Sequence, residues 1–469
     1  MKIELLGGTT QEELENRIKR IAAAGKLSRY KGNVFEVLES CDNYENNLKM
    51  VKRIIGMGHE SIIEHDYLVF AISDVSPIIE QTIIEHRLTS FTIKSRREVD
   101  FRNVGFYSPE FRDKDYNKHP DNENIAKEYS EYMKWLFNEY ADFVDNGIPR
   151  EDARFILPYS YYSNIIMGLD ARELERMINY MLYGEVSKIS ECKEFGNKLL
   201  EIANDYIPYI TSKIKETEKK ETKIDMNKLL DKREIKIIEK PQIIDYTKNM
   251  DDIILQSSIM YQCQCNREEA EQIIKEAEKE NSNFKEDLMQ DIMNKEGKRE
   301  LEQVIMTVQI PISLSILTHL TRHRMHSLLI PSFVPMWNLE NYIIPDTMKE
   351  KYEEKVKSIF EKNIQMFNKF KQYGIVEEDL VYFYLGGNMC NVVTSMNART
   401  LQWISRMRCC NKAQWQIRNI FKEIVKETKK IAPLLGKYLG PTCETEYACY
   451  EGKECCGKIA EVLREKNKK

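Results

Sequence analysis

Leu320-Thr321-Arg322-His323-Arg324-Met325-His326-Ser327-Leu328-Leu329-Ile330-Pro331-Ser332 packs two guanidiniums and an imidazole into three residues, with a serine after seven more. The run before it, Ile310 to Leu317, is mostly apolar and reads as buried. Cations beside a buried segment need anions or acceptors, because desolvating an unpaired charge is costly. Phosphate is one natural partner, since the guanidinium fork matches its oxygens. The same spacing occurs in the first half, where Glu85-His86-Arg87 is followed by seven residues and then Ser95-Arg96-Arg97. Farther on, Asp170-Ala171-Arg172-Glu173-Leu174 and Asn397-Ala398-Arg399-Thr400-Leu401 form a second pair in the same order. They lie 84 residues after His86 and 74 after His323. Self-similarity at a period above 200 residues reads as two fused domains of one fold, not a solenoid.

The bulk numbers agree with a globular chain. At 469 residues there is room for two to four domains. Hydrophobic content of 42% and charged content of 31% are those of a soluble protein. A net charge of −5 gives no reason to expect nucleic-acid or membrane partners, and no apolar run reaches the roughly 18 residues a membrane span needs. Met1 to Gly8 has no signal-peptide core and reads as a strand entering a turn. A cytoplasmic location is therefore expected. There the eleven cysteines would stay reduced and point to metal or redox chemistry rather than structural disulfides.

Along the chain, Gln11 to Ile21 and Asn43 to Ile55 read as helices, and Tyr67 to Ile72 as a strand. Ser76-Pro77 opens a helix that carries His86-Arg87, residues 104–122 read as a polar loop, and Glu123 to Val144 as a long amphipathic helix. Gly147 to Arg154 starts another, with proline at an N-terminal position and acids in the first turn. Asp170 to Ile207 reads as helical. The second half repeats this plan: Asp251 to Tyr261 reads as strand-like, Arg267 to Glu280 as a charged helix and Gln303 to Ile310 as a strand. Ile312 to His323, Lys349 to Tyr373 and Asn397 to Lys430 read as helices. The expected domains are 1–210, a Lys/Glu-rich linker 211–245, 246–432, and a Cys-rich tail 433–469.

Taken together, these blocks resemble the flavin-dependent (alternative) thymidylate synthases. The resemblance rests on His59-Glu60-Ser61-Ile62-Ile63-Glu64-His65, His86-Arg87, Ser95-Arg96-Arg97, Ala153-Arg154-Phe155-Ile156-Leu157-Pro158 and Asp170-Ala171-Arg172 in the first half. In the second it rests on Arg322-His323-Arg324, Ser332, Asn397-Ala398-Arg399-Thr400-Leu401, Arg408 and Ala413-Gln414-Trp415-Gln416-Ile417-Arg418. It implies a mixed α/β fold present in two fused copies, each with long helices and a small sheet. It implies reductive methylation of dUMP to dTMP, with methylenetetrahydrofolate giving the carbon and NADPH reducing FAD. It places Arg322, His323, Arg324, Asn397, Arg399, His86, Arg87 and His65 at the cofactor. Ser95, Arg97, Arg154, Ser332 and Arg408 fall at the substrate, with Arg408 and Ser95 also catalytic.

The copies depart from the family pattern in different places. The first has Glu85 where the signature has Arg, Asp170 where it has Asn, and Met181 where the downstream Arg belongs. The second has Val334 opposite Arg97 and lacks the Ala-Arg-x-x-Leu-Pro block. Family enzymes are homotetramers with shared sites, so the resemblance implies a homodimer of this chain mimicking that tetramer, with composite sites and half of the ancestral sites lost. The alternative is a non-catalytic or re-purposed paralogue that binds flavin or nucleotide.

Plainer explanations stand beside each site. Ser95 and Ser332 could be turn or cap residues, His59 and His65 core histidines, Arg154 a partner of Glu151 or Asp152, and Trp403 and Trp415 core. Cys409, Cys443, Cys449 and Cys455, with Cys410 and Cys456 as substitutes, form a candidate ligand set for zinc or an iron–sulfur cluster; free thiols are the competing account.

Overall fold

A computed structural model describes residues 1–216, 224, 229, 234–334 and 338–467. Of the expected linker, 217–223, 225–228 and 230–233 lie outside these residues. In chain order the first half runs β1 (Lys2–Gly8), α1 (Leu14–Leu27), α2 (Val34–Glu39), α3 (Tyr44–Gly56), β2 (Tyr67–Val75), α4 (Pro77–Glu85) and β3 (Ser90–Ile93). It continues with α5 (Asn122–Asp145), α6 (Arg150–Ala153), β4 (Ser163–Asp170), α7 (Ala171–Tyr183) and α8 (Ser190–Tyr206). The second half runs β5 (Gln242–Tyr246), α9 (Met250–Cys263), α10 (Arg267–Glu280), α11 (Phe284–Asn294), β6 (Ile305–Ser313), α12 (Leu314–Thr321) and β7 (Ser327–Leu329). Then come α13 (Asp346–Gln372), α14 (Glu377–Leu380), β8 (Met389–Asn397), α15 (Ala398–Arg408) and α16 (Trp415–Ile431).

Each half folds its strands into a four-stranded antiparallel sheet with the same order, β1-β2-β4-β3 and β5-β6-β8-β7. The duplication expected from the sequence is thus a duplication of mixed α/β topology. Registers match: Tyr67 pairs with Asp170, and Ile305 with Asn397. One face of each sheet is buried by strict alternation, through Leu68, Phe70 and Ile72 in β2 and through Cys390, Val392, Thr394 and Met396 in β8. A bulge at Asp74, where φ is +58°, inserts one residue into β2 that β6 lacks.

Several sequence expectations need correction. Asp251 to Tyr261 is helix, not strand, because it belongs to α9, the counterpart of α1. Its apolar run Ile253-Ile254-Leu255 is short, and periodicity alone cannot tell such a run from a buried strand. Asp170–Ile207 and Asn397–Lys430 each break into two helices, at Gly184 and at Cys409. The central strands β4 and β8 escaped the pattern reading, and β5 starts inside the expected linker.

By compactness the chain divides into two units. One holds Met1–Glu234 and Tyr342–Asn388; the other holds Ile235–Ser332 and Met389–Lys469. Within the first, α5 and α13 pack together. Tyr132 OH donates to Asn363 Oδ1 at 2.9 Å, Lys355 meets Asp142 and Glu139 at 2.7 Å, and Tyr129, Phe370 and Phe383 interlock. Among the described residues no helix is long and apolar enough to cross a membrane.

Candidate functional site

In the first unit, Ser76 caps α4, its Oγ accepting from the Ile78 amide at 3.2 Å, and Pro77 starts the helix. Every residue from Pro77 to Ile84 is buried, including Glu80. A buried carboxylate needs a cation, and Arg96 supplies it: Nη1 lies 3.0 and 3.1 Å from the two Glu80 oxygens. Tyr161 OH also meets Arg96, and Ser163 Oγ donates to Glu80 at 2.7 Å. Burial pulls the Arg96 pKa down, but Glu80 outweighs it and leaves it above the ordinary value.

Arg154 sits beside this network without sharing its carboxylate. It is 3% exposed; its Nε donates to the Glu151 carbonyl at 3.1 Å, and its Nη2 is buried with no hydrogen-bond partner. The plainer explanation, a pair with the Glu151 or Asp152 side chain, is not what forms: Glu151 takes Arg97 Nε at 2.8 Å and Asp152 accepts from Thr347 Oγ1 at 2.7 Å. Burial first, then the positive charge of Arg96 and Arg97, lowers the Arg154 pKa to about 9. At pH 7 it remains a cation with an unanswered N–H, an arrangement that fits an anion. Ser95, half-buried, accepts the Arg97 amide at 3.3 Å. The structure therefore gathers Ser95, Arg97 and Arg154.

His86 and Arg172, two more cations of the first copy, are engaged within the unit. His86 Nδ1 lies 2.9 Å from Glu173. Arg172 meets Glu60 at 3.3 Å and also Glu64. Asp170 caps α7 through the Glu173 amide at 2.9 Å. Arg87, His59 and His65 are exposed, so the two histidines are not core residues.

In the second unit, α12 is as apolar as α4 and ends at the turn Arg322-His323-Arg324. His323 is buried, with Arg322 and Arg324 exposed on either side. Arg408, at the end of α15, donates from Nε to His323 Nε2 at 2.9 Å and from Nη2 to the His319 carbonyl at 2.9 Å. Burial, reinforced by Arg408, His326 and Arg322, lowers the His323 pKa to about 3. It is therefore a neutral acceptor at physiological pH. Asn397 caps α15, its side chain accepting from the Thr400 amide at 2.8 Å, and Arg399 bonds Glu302 at 2.5 Å. Ser332 is exposed. Trp403 is 56% exposed under the Arg406 guanidinium, so it is not core; Trp415 is half-buried.

The family model of the thymidylate synthase complementing protein matches twice, over residues 11–209 and 242–434. The chain belongs to this family. It carries the family domain as a tandem duplication, and the Cys-rich tail lies past the second match. Curated relatives named flavin-dependent thymidylate synthase include that of Clostridium tetani, 45% identical over 87 residues, 19% of this chain and 34% of that protein. The Pyrococcus furiosus relative is 32% identical over 162 residues, 34% and 63% of the two chains. That of Geobacter sulfurreducens is 30% identical over 174 residues, 37% and 70%. The chain thus spans between a third and somewhat over two thirds of the length of these relatives. A solved structure of the UMP/dUMP methylase PolB from Streptomyces cacaoi is similar at 18% identity and TM-score 0.37, over 45% of this chain and 93% of that one.

Equivalent positions follow from the shared registers. Glu80, Arg96, Arg97 and Arg154 fall opposite Leu317, Phe333, Val334 and Val381; Glu85, Asp170 and Met181 fall opposite Arg322, Asn397 and Arg408. Sequence reading missed Glu80, Tyr161 and Glu173, and offered Glu151 only as a partner of Arg154. Of these only Glu80 gave a signal, as a charge in the middle of an apolar helix.

The tail corrects the candidate metal set. Among the described residues no group of three or more His, Cys, Asp or Glu side chains is arranged to hold a metal ion. Cys409 is buried under α15, and burial pushes its thiol up to about 12.

Proposed function

We propose that the chain is a flavin-dependent methyltransferase that converts dUMP to dTMP, taking its carbon from methylenetetrahydrofolate and its electrons from NADPH through FAD, as a homodimer. Family membership supports the reaction class. The observation that carries the nucleotide reading is Arg154, a buried cation whose Nη2 lacks a partner beside Arg96 and Arg97. A phosphate monoester dianion answers such a donor with a charge-assisted hydrogen bond. Binding it would raise the Arg154 pKa back toward the ordinary range.

The donor set of the second unit fits a dinucleotide cofactor. Arg322 and Arg324 offer two exposed guanidiniums within three residues, suited to a pyrophosphate, and Asn397 caps the helix that carries Arg408. FAD bound there would supply the redox chemistry, leaving the protein to bind and orient. His323 stays neutral and fixes the plane of the Arg408 guanidinium by accepting its Nε–H. Arg408, so oriented, would hold positive charge against a uracil carbonyl. Ser95 and Arg97 would position the nucleotide.

Rescue of a thymidine auxotroph tests this reading. Growth without thymidine that is lost with Arg154→Leu supports it. Failure of the well-expressed wild-type chain to rescue, with no NADPH-dependent bleaching of a bound flavin, would favour the non-catalytic paralogue.

A further inference from the structure

Glu191, the second residue of α8, is wholly buried. Its Oε1 accepts the Ser76 N–H at 2.7 Å; its Oε2 accepts the Ser76 hydroxyl at 2.5 Å and the Tyr382 hydroxyl at 3.1 Å. Ser76 Oγ itself accepts the Ile78 amide at 3.2 Å, so its own proton is left for the carboxyl. One side chain thus joins α8 to the first turn of α4 and to the turn Val381–Phe383. Glu80 has a cation and Glu191 does not: among the described residues its hydrogen-bond partners are all neutral.

The titratable groups around it add no positive charge. Burial pushes the phenols of Tyr382, Tyr107 and Tyr129 up and keeps them neutral, and the Tyr107 and Tyr382 rings lie 4.9 Å apart. On its own helix Cys192 is a buried, neutral thiol and Glu194 adds a negative charge. The first charge on α4, Glu80, is answered by Arg96. Arg112 reaches the segment before α8 through the Lys188 carbonyl at 2.8 Å, but Asp379 answers it at 2.6 Å. A carboxylate in such surroundings loses its hydration without gaining a counterion, and hydrogen bonds offset only part of that loss. Burial first, and the Glu194 charge after it, outweigh the three donors and push the Glu191 pKa up to about 7.

The second copy fills the same place with an amide. Gln416 is the second residue of α16, and its Oε1 accepts the Ser313 hydroxyl at 2.5 Å, with Nε2 3.4 Å from Met389 Sδ. Ser313 closes β6 as Ser76 follows β2, once the bulge residue Asp74 is taken out. Glutamine has the shape of a protonated glutamate, can donate as well as accept, and cannot ionise.

We propose that Glu191 is a proton-operated tie on the start of α4, firm as the neutral acid and loosened when it ionises, and that Gln416 is the same tie made insensitive to pH. In the acid, Oε1 keeps the Ser76 N–H and the carboxyl proton is donated to Ser76 Oγ or to the Tyr382 oxygen. The anion instead gains from local opening that returns it to water. Loosening the start of α4 reaches the Glu80–Arg96 pair, which that helix carries. Because the folded-state pKa lies above the ordinary 4.5, the tie holds fully below pH 4.5 and weakens as the pH rises through about 7. The tie stands on this geometry and not on the nucleotide reading.

Hydrogen exchange followed by mass spectrometry on the full chain tests it, with rates corrected for the intrinsic pH dependence of amide exchange. In the wild-type chain, protection of residues 77–85 should fall roughly fiftyfold between pH 5 and 8. Glu191→Gln should show no such fall, and residues 314–321 should show none in either chain. No fall in the wild-type chain overturns the proposal, as does an equal fall in Glu191→Gln or in residues 314–321. If Glu191→Gln is not folded by circular dichroism, Tyr382→Phe takes its place. It removes a donor to the anion, so the fall should continue to higher pH, and an unchanged profile overturns the proposal.

Discussion

At one position of the shared fold the first copy has Met181 and the second has Arg408, and the histidine of each copy takes a different partner. His86 turns to the Glu173 carboxylate; His323 accepts a hydrogen bond from Arg408. The contrast runs through both units. The first keeps the buried Glu80–Arg96 pair and the unanswered Arg154, while the equivalent second-copy positions are the apolar Leu317, Phe333 and Val381. A second buried ion pair follows the same rule. Arg17 Nε meets Asp66 at 2.9 Å, whereas Leu255 stands eight residues after Thr247 as Arg17 does after Thr9, and Val304 stands opposite Asp66. The second copy has neither member of either buried pair, which fits their energetics: removing one partner strands the other, whereas removing both costs little. The two copies thus carry cations at different positions of the shared fold.

The comparison can be broken most sharply at Glu80. Glu80→Leu alone should cost about 3–5 kcal/mol in urea unfolding, because it leaves Arg96 buried without its carboxylate. Adding Arg96→Phe, the second copy's own pairing, should recover most of that loss. Additive losses would mean that the two positions are not coupled. Next, Arg154→Leu should weaken dUMP binding by about 3 kcal/mol in calorimetry. Its unfolding free energy should not fall, since the cation it removes lacks a full set of partners.

A smaller effect separates the two histidines. Folded His323 stays neutral down to about pH 3, while the unfolded chain takes up the proton near its ordinary 6.5. Stability should therefore fall as the pH drops through that window, by about 2 kcal/mol between pH 6.5 and 5 from this group alone. His323→Asn should flatten the slope in pH-dependent unfolding; an unchanged slope would show that the residue titrates normally. The smallest expected effect concerns the caps. Asp170→Ala and Asn397→Ala should each cost about 1 kcal/mol of stability, but only Asn397→Ala should also reduce flavin retention on gel filtration.

Much of this was legible before any coordinates. The repeated His-Arg spacing and the Asp-Ala-Arg and Asn-Ala-Arg blocks marked the duplication, because they recur in the same order in both halves. The strands β4 and β8 were hidden: β8 follows Gly-Gly-Asn without the usual aromatic or proline markers, and β4 follows a tyrosine-rich turn that mimics loop sequence. The Arg154 environment could not be read either. The carboxylate one helical turn before it, Glu151, is spoken for by Arg97, which lies 54 residues from Glu151 in the chain. Such allocation among neighbours is a tertiary fact. The cysteine tail showed the same limit, since spacing alone could not tell that Cys409 points into the core.

The most direct test of this division of labour is the flavin content of the natively purified chain, read by absorbance against protein concentration. The account predicts one FAD per chain, lost in Arg324→Ala and retained in Arg87→Ala. Two flavins per chain, or loss of flavin in Arg87→Ala, would contradict it.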